Sequence, residues 1–371
     1  MSVIFAILLV SSCANSQKFR VVASENSEND NPATVKKFTA PETDPDFTKF
    51  PNGKTFADFK AALVGGEGEP WTEVQQAQYE ALKQMPVDKV QWALIDLDNN
   101  KMLSQSKPSA TRIFGASTSK VFVVAALLDK QRGEVLRYPP ILKEIKDKKG
   151  NLLRTETISD DDINHMARIY MHSDNDSWVL LQSRLGKDKS GELNADRGRA
   201  AVIEFTERMG YHDIRAWQGD LLVENEKNVL GSLRKEVKSR TRLGIDEKYI
   251  HGNELTAADT AKYLYDTYTG RYAGAEYAWK MLYTCQTGDK KGNKYIPKNI
   301  FVGGKTGTYP NGRAQMSEVN GVKKKVAVRS HALVFHYNGT QYGLVVLTDL
   351  GKNEPAAVLA GGLIREFVGV R

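Results

Sequence analysis

Three short groups of residues in this chain have the types and spacing for acyl transfer: Ser117-Thr118-Ser119-Lys120, Ser173-Asp174-Asn175 and Lys305-Thr306-Gly307-Thr308. A serine hydroxyl attacks a carbonyl readily only when a neighbouring base takes its proton, and a lysine three residues on along a helix is within reach to do so. Such a lysine must be neutral, a state favoured by burial near other cations and by the positive end of a helix. The second group offers a hydroxyl that can relay a proton to a leaving nitrogen, and an amide that can hold both the lysine and a substrate carbonyl. The third offers a cation and hydroxyls suited to a carboxylate. Each group alone has a plainer account. Ser-x-x-Lys also describes a serine-capped helix start with a surface lysine, and Ser-Asp-Asn a capping turn. Their joint occurrence, in roles that complement one another, is what points to chemistry.

Positioning these groups takes a helix, an inter-helix turn and a strand. Apolar residues at helical spacing over 121–128 put Ser117 at a helix start and Lys120 one turn on, on the same face. The Ser117 N–H is then among the unpaired amides of that start and can stabilise an oxyanion. Ser173-Asp174-Asn175 interrupts a helical pattern, 163–170 before it and 178–185 after it, which predicts a turn able to face a cleft and pinned by Asp174. Over 301–308, strand alternation puts Thr306 and Thr308 on one face and Lys305 on the other. Gly307 lets a ligand backbone approach, and the Thr308 N–H is placed to complete an oxyanion hole with that of Ser117.

The remaining pattern supplies the frame. A helix opens at Pro70-Trp71-Thr72 and runs to about Gln84, and others cover 200–209 and 257–268. Residues 90–97 and 101–103, joined through Asp98-Asn99-Asn100, predict a β-hairpin; 330–337 and 342–348 predict strands, and 355–368 a closing helix. Strand-rich ends bracket a helical middle, and the terminal strands have only each other as partners. This predicts an α+β fold of α/β sandwich type: an antiparallel sheet from both chain ends with helices on it, plus an all-helical subdomain.

With 371 residues, 41% of them hydrophobic, the chain can bury a sizeable core. Its net charge of +7 comes from short runs such as Lys323-Lys324-Lys325, which read as solvated surface. No helix-turn-helix, zinc or single-strand stacking pattern accompanies them, so nucleic acid is not an expected partner. The six histidines form no H-x-H-x-D or H-E-x-x-H grouping, and neither a metal nor a cofactor is expected. Two cysteines, Cys13 and Cys285, make no disulfide framework, and Cys285 reads as a small buried hydrophobe. Residues 3–10 form an apolar run too short to span a bilayer but suited to the core of a signal peptide. From Ala14 to about Pro51 the chain is polar and reads as a tether, and Gly65-Gly66-Glu67-Gly68 as a hinge, since no Lys-Ser/Thr follows as in a phosphate loop. The expected divisions are a signal peptide over 1–13, tether and hinge over 14–69, and a catalytic domain over 70–371.

Val10-Ser11-Ser12-Cys13 resembles a bacterial lipobox, which implies a lipid anchor on Cys13, membrane attachment, and a place in the periplasm or cell envelope. Ser12-Cys13-Ala14 also fits a small-x-small site for plain secretion. Over 70–371 the chain resembles the family of class A β-lactamases and low-molecular-weight penicillin-binding proteins. The resemblance rests on the three motifs in their order, Arg112-Ile113-Phe114-Gly115-Ala116-Ser117 after the hairpin, the Met209-Gly210 helix end, and Arg329 ahead of a C-terminal strand. It implies Ser117 as nucleophile, Lys120 and Ser173 in proton transfer, Asn175, Lys305, Thr306, Gly307 and Thr308 at the substrate, and Arg329 on its carboxylate. It also implies a deacylating glutamate on a loop between the second and third motifs. Aligned on Trp217, that place holds Gln218; in another register Glu224-Asn225-Glu226-Lys227-Asn228 reproduces the pattern, with Glu224 as base. The loop 224–253 also carries a basic stretch, 234–242, without a family counterpart. Three functions stay open: a hydrolase that opens β-lactams with Glu224, a D,D-peptidase acting on D-alanyl stem peptides, and a tethered sensor whose acyl-enzyme is the end state. A monomer is expected for each.

Overall fold

Hairpins at the two ends of the chain each leave an open strand edge, and those edges pair with each other. The computed structural model describes residues 71–147, 151–191, 193–217, 252–285, 294–296, 300–309 and 315–369. The expected signal peptide, Cys13, the tether and hinge, and Gln218 and Glu224 lie outside the described residues.

In chain order the elements are helix α1 (Glu73–Lys83), strands β1 (Val90–Asp96), β2 (Lys101–Gln105) and β3 (Ile113–Phe114), and a 3₁₀ turn (Ala116–Ser119) running directly into α2 (Lys120–Lys130). Strands β4 (Arg137–Lys146) and β5 (Leu152–Asp161) follow, then helices α3 (Asp162–His172), α4 (Asn175–Leu185) and α5 (Ala195–Arg208). Beyond them come β6 (Glu254–Leu255), α6 (Ala257–Tyr268), α7 (Ala275–Leu282), β7 (Phe301–Tyr309), β8 (Gln315–Val319), β9 (Val322–Val326), β10 (Val328–Tyr337), β11 (Thr340–Thr348) and α8 (Asn353–Val368).

The main sheet is five-stranded in the order β2-β1-β11-β10-β7, and its paired strands run antiparallel. It joins the hairpin β1–β2 to the hairpin β10–β11 through the β1–β11 pairing. Side-chain alternation gives it two buried faces. Trp92 and Leu94 of β1, Leu344 and Val346 of β11, and Leu333 and Phe335 of β10 pack with α1 and α8 through Tyr79, Leu82, Leu359 and Leu363. The intervening Ala93, Ile95, Ala332, Val334, Val345 and Leu347 face the helical part of the molecule. Each fully buried Leu, Val or Ile contributes about 1.5–3 kcal/mol.

Helix α2 has no polar side: every residue from Lys120 to Leu128 is buried. A helix apolar all round belongs in the middle of a fold, and α2 lies against α4, α5 and α7. The segment that opens with the serine motif therefore leads into an enclosed helix. Two hairpins go beyond what the periodicity predicts. One is β4–β5; the other, β8–β9, lies between β7 and β10, and its second strand contains the lysine run read from sequence as solvated surface. A two-stranded pairing of β3 with β6 sets Phe114 opposite Glu254 just ahead of the 3₁₀ turn.

Candidate active site

Ser117 sits half-buried in the 3₁₀ turn, and the Lys120 N–H donates to its carbonyl. Residues three apart in such a turn eclipse one another, so the serine and lysine side chains leave the backbone on one side. The turn is held under strain: Ala116 has φ +47° in the left-handed region, costly for a residue with a Cβ. Its surroundings fix it there. The Gly115 N–H donates to the Asn253 carbonyl (2.5 Å), the Ser330 hydroxyl to the Gly115 carbonyl (2.7 Å), and the Ser119 hydroxyl to the Ala116 carbonyl (2.8 Å).

Lys120 is 1% exposed. Its Nζ donates to the Asn175 Oδ1 (2.5 Å) and the Ser173 carbonyl (2.6 Å), and reaches the Ser173 hydroxyl at 3.4 Å. The Trp178 ring lies 5.2 Å away. Burial, and then the charge of Lys305, push the Lys120 amine well below the usual lysine range against the pull of Asp174 and Asp176. This makes the amine easier to deprotonate than an ordinary lysine, the direction that proton acceptance would need.

The turn between α3 and α4 presents its partners. Ser173 ends α3 in the left-handed conformation, φ +58°, and Asp174 caps α4 by accepting the Ser177 N–H at 2.7 Å. Arg168 donates to the other Asp174 oxygen at 2.9 Å. Burial pushes the Asp174 carboxyl up, but the Ser177 N–H and the Arg168 guanidinium outweigh it and hold the group below the ordinary carboxylate range. This is the pinning that the residue types predict.

Lys305 of β7 is 0% exposed and faces the same turn. Its Nζ donates to the Ser173 hydroxyl (3.1 Å) and the Thr306 carbonyl (2.7 Å), and burial lowers it to about 8. The Ser173 hydroxyl therefore lies between two lysine amines. Gly307 brings β7 close against the Ser117 turn. A Cβ there would stand 2.2 Å from the Ser330 Oγ, 2.7 Å from the Gly115 carbonyl oxygen and 2.9 Å from the Thr118 Oγ1.

Thr306, Thr308, Arg329 and His331 belong to the other face at this end of the sheet, with Arg329 opposite Thr308 and His331 opposite Thr306. Thr308 is exposed, while Thr306 is buried. The Arg329 Nε bonds the Asn353 side chain at the start of α8, and one of its terminal nitrogens donates to the Val328 carbonyl (2.7 Å). Burial lowers the Arg329 guanidinium from its ordinary value. Burial, Arg329 and Lys305 together bring His331 down to about 4, so it is neutral in ordinary buffers. Ser330, Trp178 and Asn353 are additions that sequence reading does not supply. None falls in a motif, and only the strand register and helix packing bring them here.

The structure thus brings Ser117, Lys120, Ser173, Asn175, Lys305 and Gly307 together from four elements, with Thr306, Thr308 and Arg329 along the adjoining strands. Trp217, which sets the Gln218 register, is buried, and a Cβ on Gly252 would lie 2.3 Å from its carbonyl oxygen. Arg215 and Glu254 form a backbone bridge beside it. The residues on either side of 218–251 are thus joined at one place next to the nucleophile turn.

The model of the beta-lactamase enzyme family matches residues 73–364. Among solved structures, a beta-lactamase from Xanthomonas campestris is similar at 15% identity, covering 80% of this chain and 98% of its own, with a TM-score of 0.50. An ancestral class A beta-lactamase is similar at 17% identity, covering 79% and 99%, with a TM-score of 0.49. A beta-lactamase from Chitinophaga pinensis is similar at 15% identity, covering 78% and 96%, with a TM-score of 0.47. No curated protein matches the chain by sequence.

Proposed function

Because the chain belongs to the beta-lactamase enzyme family, we propose that it is a serine hydrolase that opens β-lactams through an acyl-enzyme on Ser117. The observation that carries this is the placement of one hydroxyl, Ser173, between two buried amines, one of them Lys120, a single 3₁₀ turn from Ser117. In the proposed sequence the Ser117 Oγ attacks the lactam carbonyl carbon as neutral Lys120 takes its proton. The N–H groups of Ser117 and Thr308 face the oxyanion. The carbon–nitrogen bond then breaks, the nitrogen takes the Ser173 proton, and the Lys120 ammonium restores that proton to Ser173. Lys305, Thr306, Thr308 and Arg329 hold the substrate carboxylate. Water releases the acyl group with Glu224 as base. No metal or cofactor has a part in these steps. Export, with Cys13 as lipid anchor, fits the same reading, since substrates of this kind are met in the cell envelope.

A second reading, a D,D-peptidase on D-alanyl stem peptides, is favoured by the fixed neck at Trp217 and Gly252. Counting from that anchored tryptophan puts Gln218, not a glutamate, at the base position. The test is time-resolved mass spectrometry with a penicillin on wild type, Ser117→Ala and Glu224→Gln. An adduct absent in Ser117→Ala, clearing in wild type and persisting in Glu224→Gln, supports the lactamase. Equal persistence in wild type and Glu224→Gln supports the peptidase or a penicillin-binding sensor. An adduct on Ser117→Ala overturns the serine assignment.

A further inference from the structure

The nucleophile turn is held from one more direction than its chemistry requires. Tyr309 and Val328 are cross-strand partners in β7 and β10, so a short loop could join them. Instead residues 310–327 intervene and contain hairpin β8–β9. Its tip is Asn320-Gly321, with φ +52° and +72°, the left-handed pair that a tight two-residue hairpin turn demands. The tip does not project into solvent alone. The Asn320 side chain accepts the Arg112 N–H (3.1 Å) and donates to the Arg112 carbonyl (3.0 Å), copying a strand's two-way pairing with a side-chain amide. The Asn320 N–H donates to Glu254 Oε1 at 2.9 Å. Glu254, fully buried, also takes Arg112 at 3.4 Å and lies 3.9 Å from Arg215, so its charge is compensated on several sides. At the end of β7, Tyr309 packs on Phe114 with ring centroids 4.7 Å apart. Val319 and Val326 enter the main core.

Tyr309 at the end of β7 therefore holds β3 at Phe114, and the hairpin tip holds Arg112, the residue just before β3. The next residues after Phe114 are Gly115, the strained Ala116 and Ser117. We propose that hairpin β8–β9 is a clasp on the nucleophile turn and that Asn320 is its positioning residue, acting on Ser117 through Arg112 and β3. A left-handed alanine persists only where the surroundings over-determine it. Asn253 and Ser330 hold the turn at Gly115, while the clasp fixes the strand that leads into it. The inference rests on Ser117 being the nucleophile.

Asn320→Gly tests it in the full chain. Glycine keeps the left-handed backbone and the hairpin turn while removing only the side-chain amide. Position 320 is exposed, so the variant is expected to fold. Amide hydrogen exchange over 113–117 should speed up by about tenfold or more as the turn loses a local restraint. Acylation of Ser117 by a fluorescent penicillin should slow by about ten- to a hundredfold, the size of loss that a small misplacement of reacting atoms produces. Unchanged exchange over 113–117 overturns the clasp, whether or not wild type is labelled. Faster exchange with unchanged acylation in a labelled wild type overturns the positioning role. A wild type that takes no label strikes at the serine reading itself, and the exchange result still decides the clasp.

Discussion

Two lysines with opposite duties share one serine hydroxyl. In the proposed mechanism Lys120 has to be neutral to accept the Ser117 proton, while Lys305 has to be charged to hold a carboxylate. The structure separates them by environment. Burial and the neighbouring Lys305 charge depress Lys120 strongly, whereas burial, partly opposed by Cys285, brings Lys305 only to about 8. The sign for activity follows. As pH falls through the lowered Lys120 value the base becomes protonated and acylation is lost; as pH rises past about 8 Lys305 loses its charge and binding is lost. The pH dependence of kcat/KM, which reports the free enzyme, should therefore be bell-shaped with its alkaline limb near the Lys305 value. Lys305→Arg should carry that limb out of the measurable range, because a guanidinium stays charged, and should leave the acid limb in place, because the positive neighbour of Lys120 remains. An alkaline limb unmoved in Lys305→Arg would assign it to another group.

At the scale of elements, the site depends on how closely β7 can lie against the nucleophile turn. Gly307→Ala would set a Cβ 2.7 Å from the Gly115 carbonyl oxygen, a backbone atom held by Ser330. The strand must move, so acylation should fall by more than tenfold with a stability loss of about 1–3 kcal/mol. Stopped-flow acylation with a urea titration checks both, and an unperturbed rate would mean that the strand gives way without disturbing Ser117. The elements carrying the motifs are those the sequence makes legible. The apolar run after Ser117 is α2, 257–268 is α6 to the residue, and Ser173-Asp174-Asn175 is the turn between α3 and α4. The hairpins are harder to read for physical reasons. β4 contains Pro139 and Pro140, which argue against a strand and coincide with a break in its register with β5. In β8–β9 a turn signal, Asn320-Gly321, is present, but Lys323-Lys324-Lys325 masks the alternation that leaves Val326 buried. Side chains such as Ser330 and Asn353 reach the site through tertiary packing, which no local pattern encodes.

At the scale of the molecule, the sheet is built from both ends of the chain, and this ties the candidate site to the last helix. The α8 face contributes Ala356, Leu359, Ala360 and Leu363 to the core that also holds Trp92 and Leu94 from the first strand, and its Asn353 bonds Arg329 of β10. Neither end can be lost without exposing the apolar face of the other, so the fold should come apart as one unit. Leu359→Ala, which removes a fully buried side chain, should cost about 2–5 kcal/mol. For a domain of this size that lowers Tm by roughly 3–8 °C. The global coupling shows in the comparison of probes: far-UV circular dichroism and penicillin labelling of Ser117 should be lost over the same temperature range in wild type and should shift together in Leu359→Ala. If labelling disappeared well before the helical signal, the sheet formed by the chain ends and the helical part carrying α2 would be separable units, and α8 would stabilise the first without holding the second.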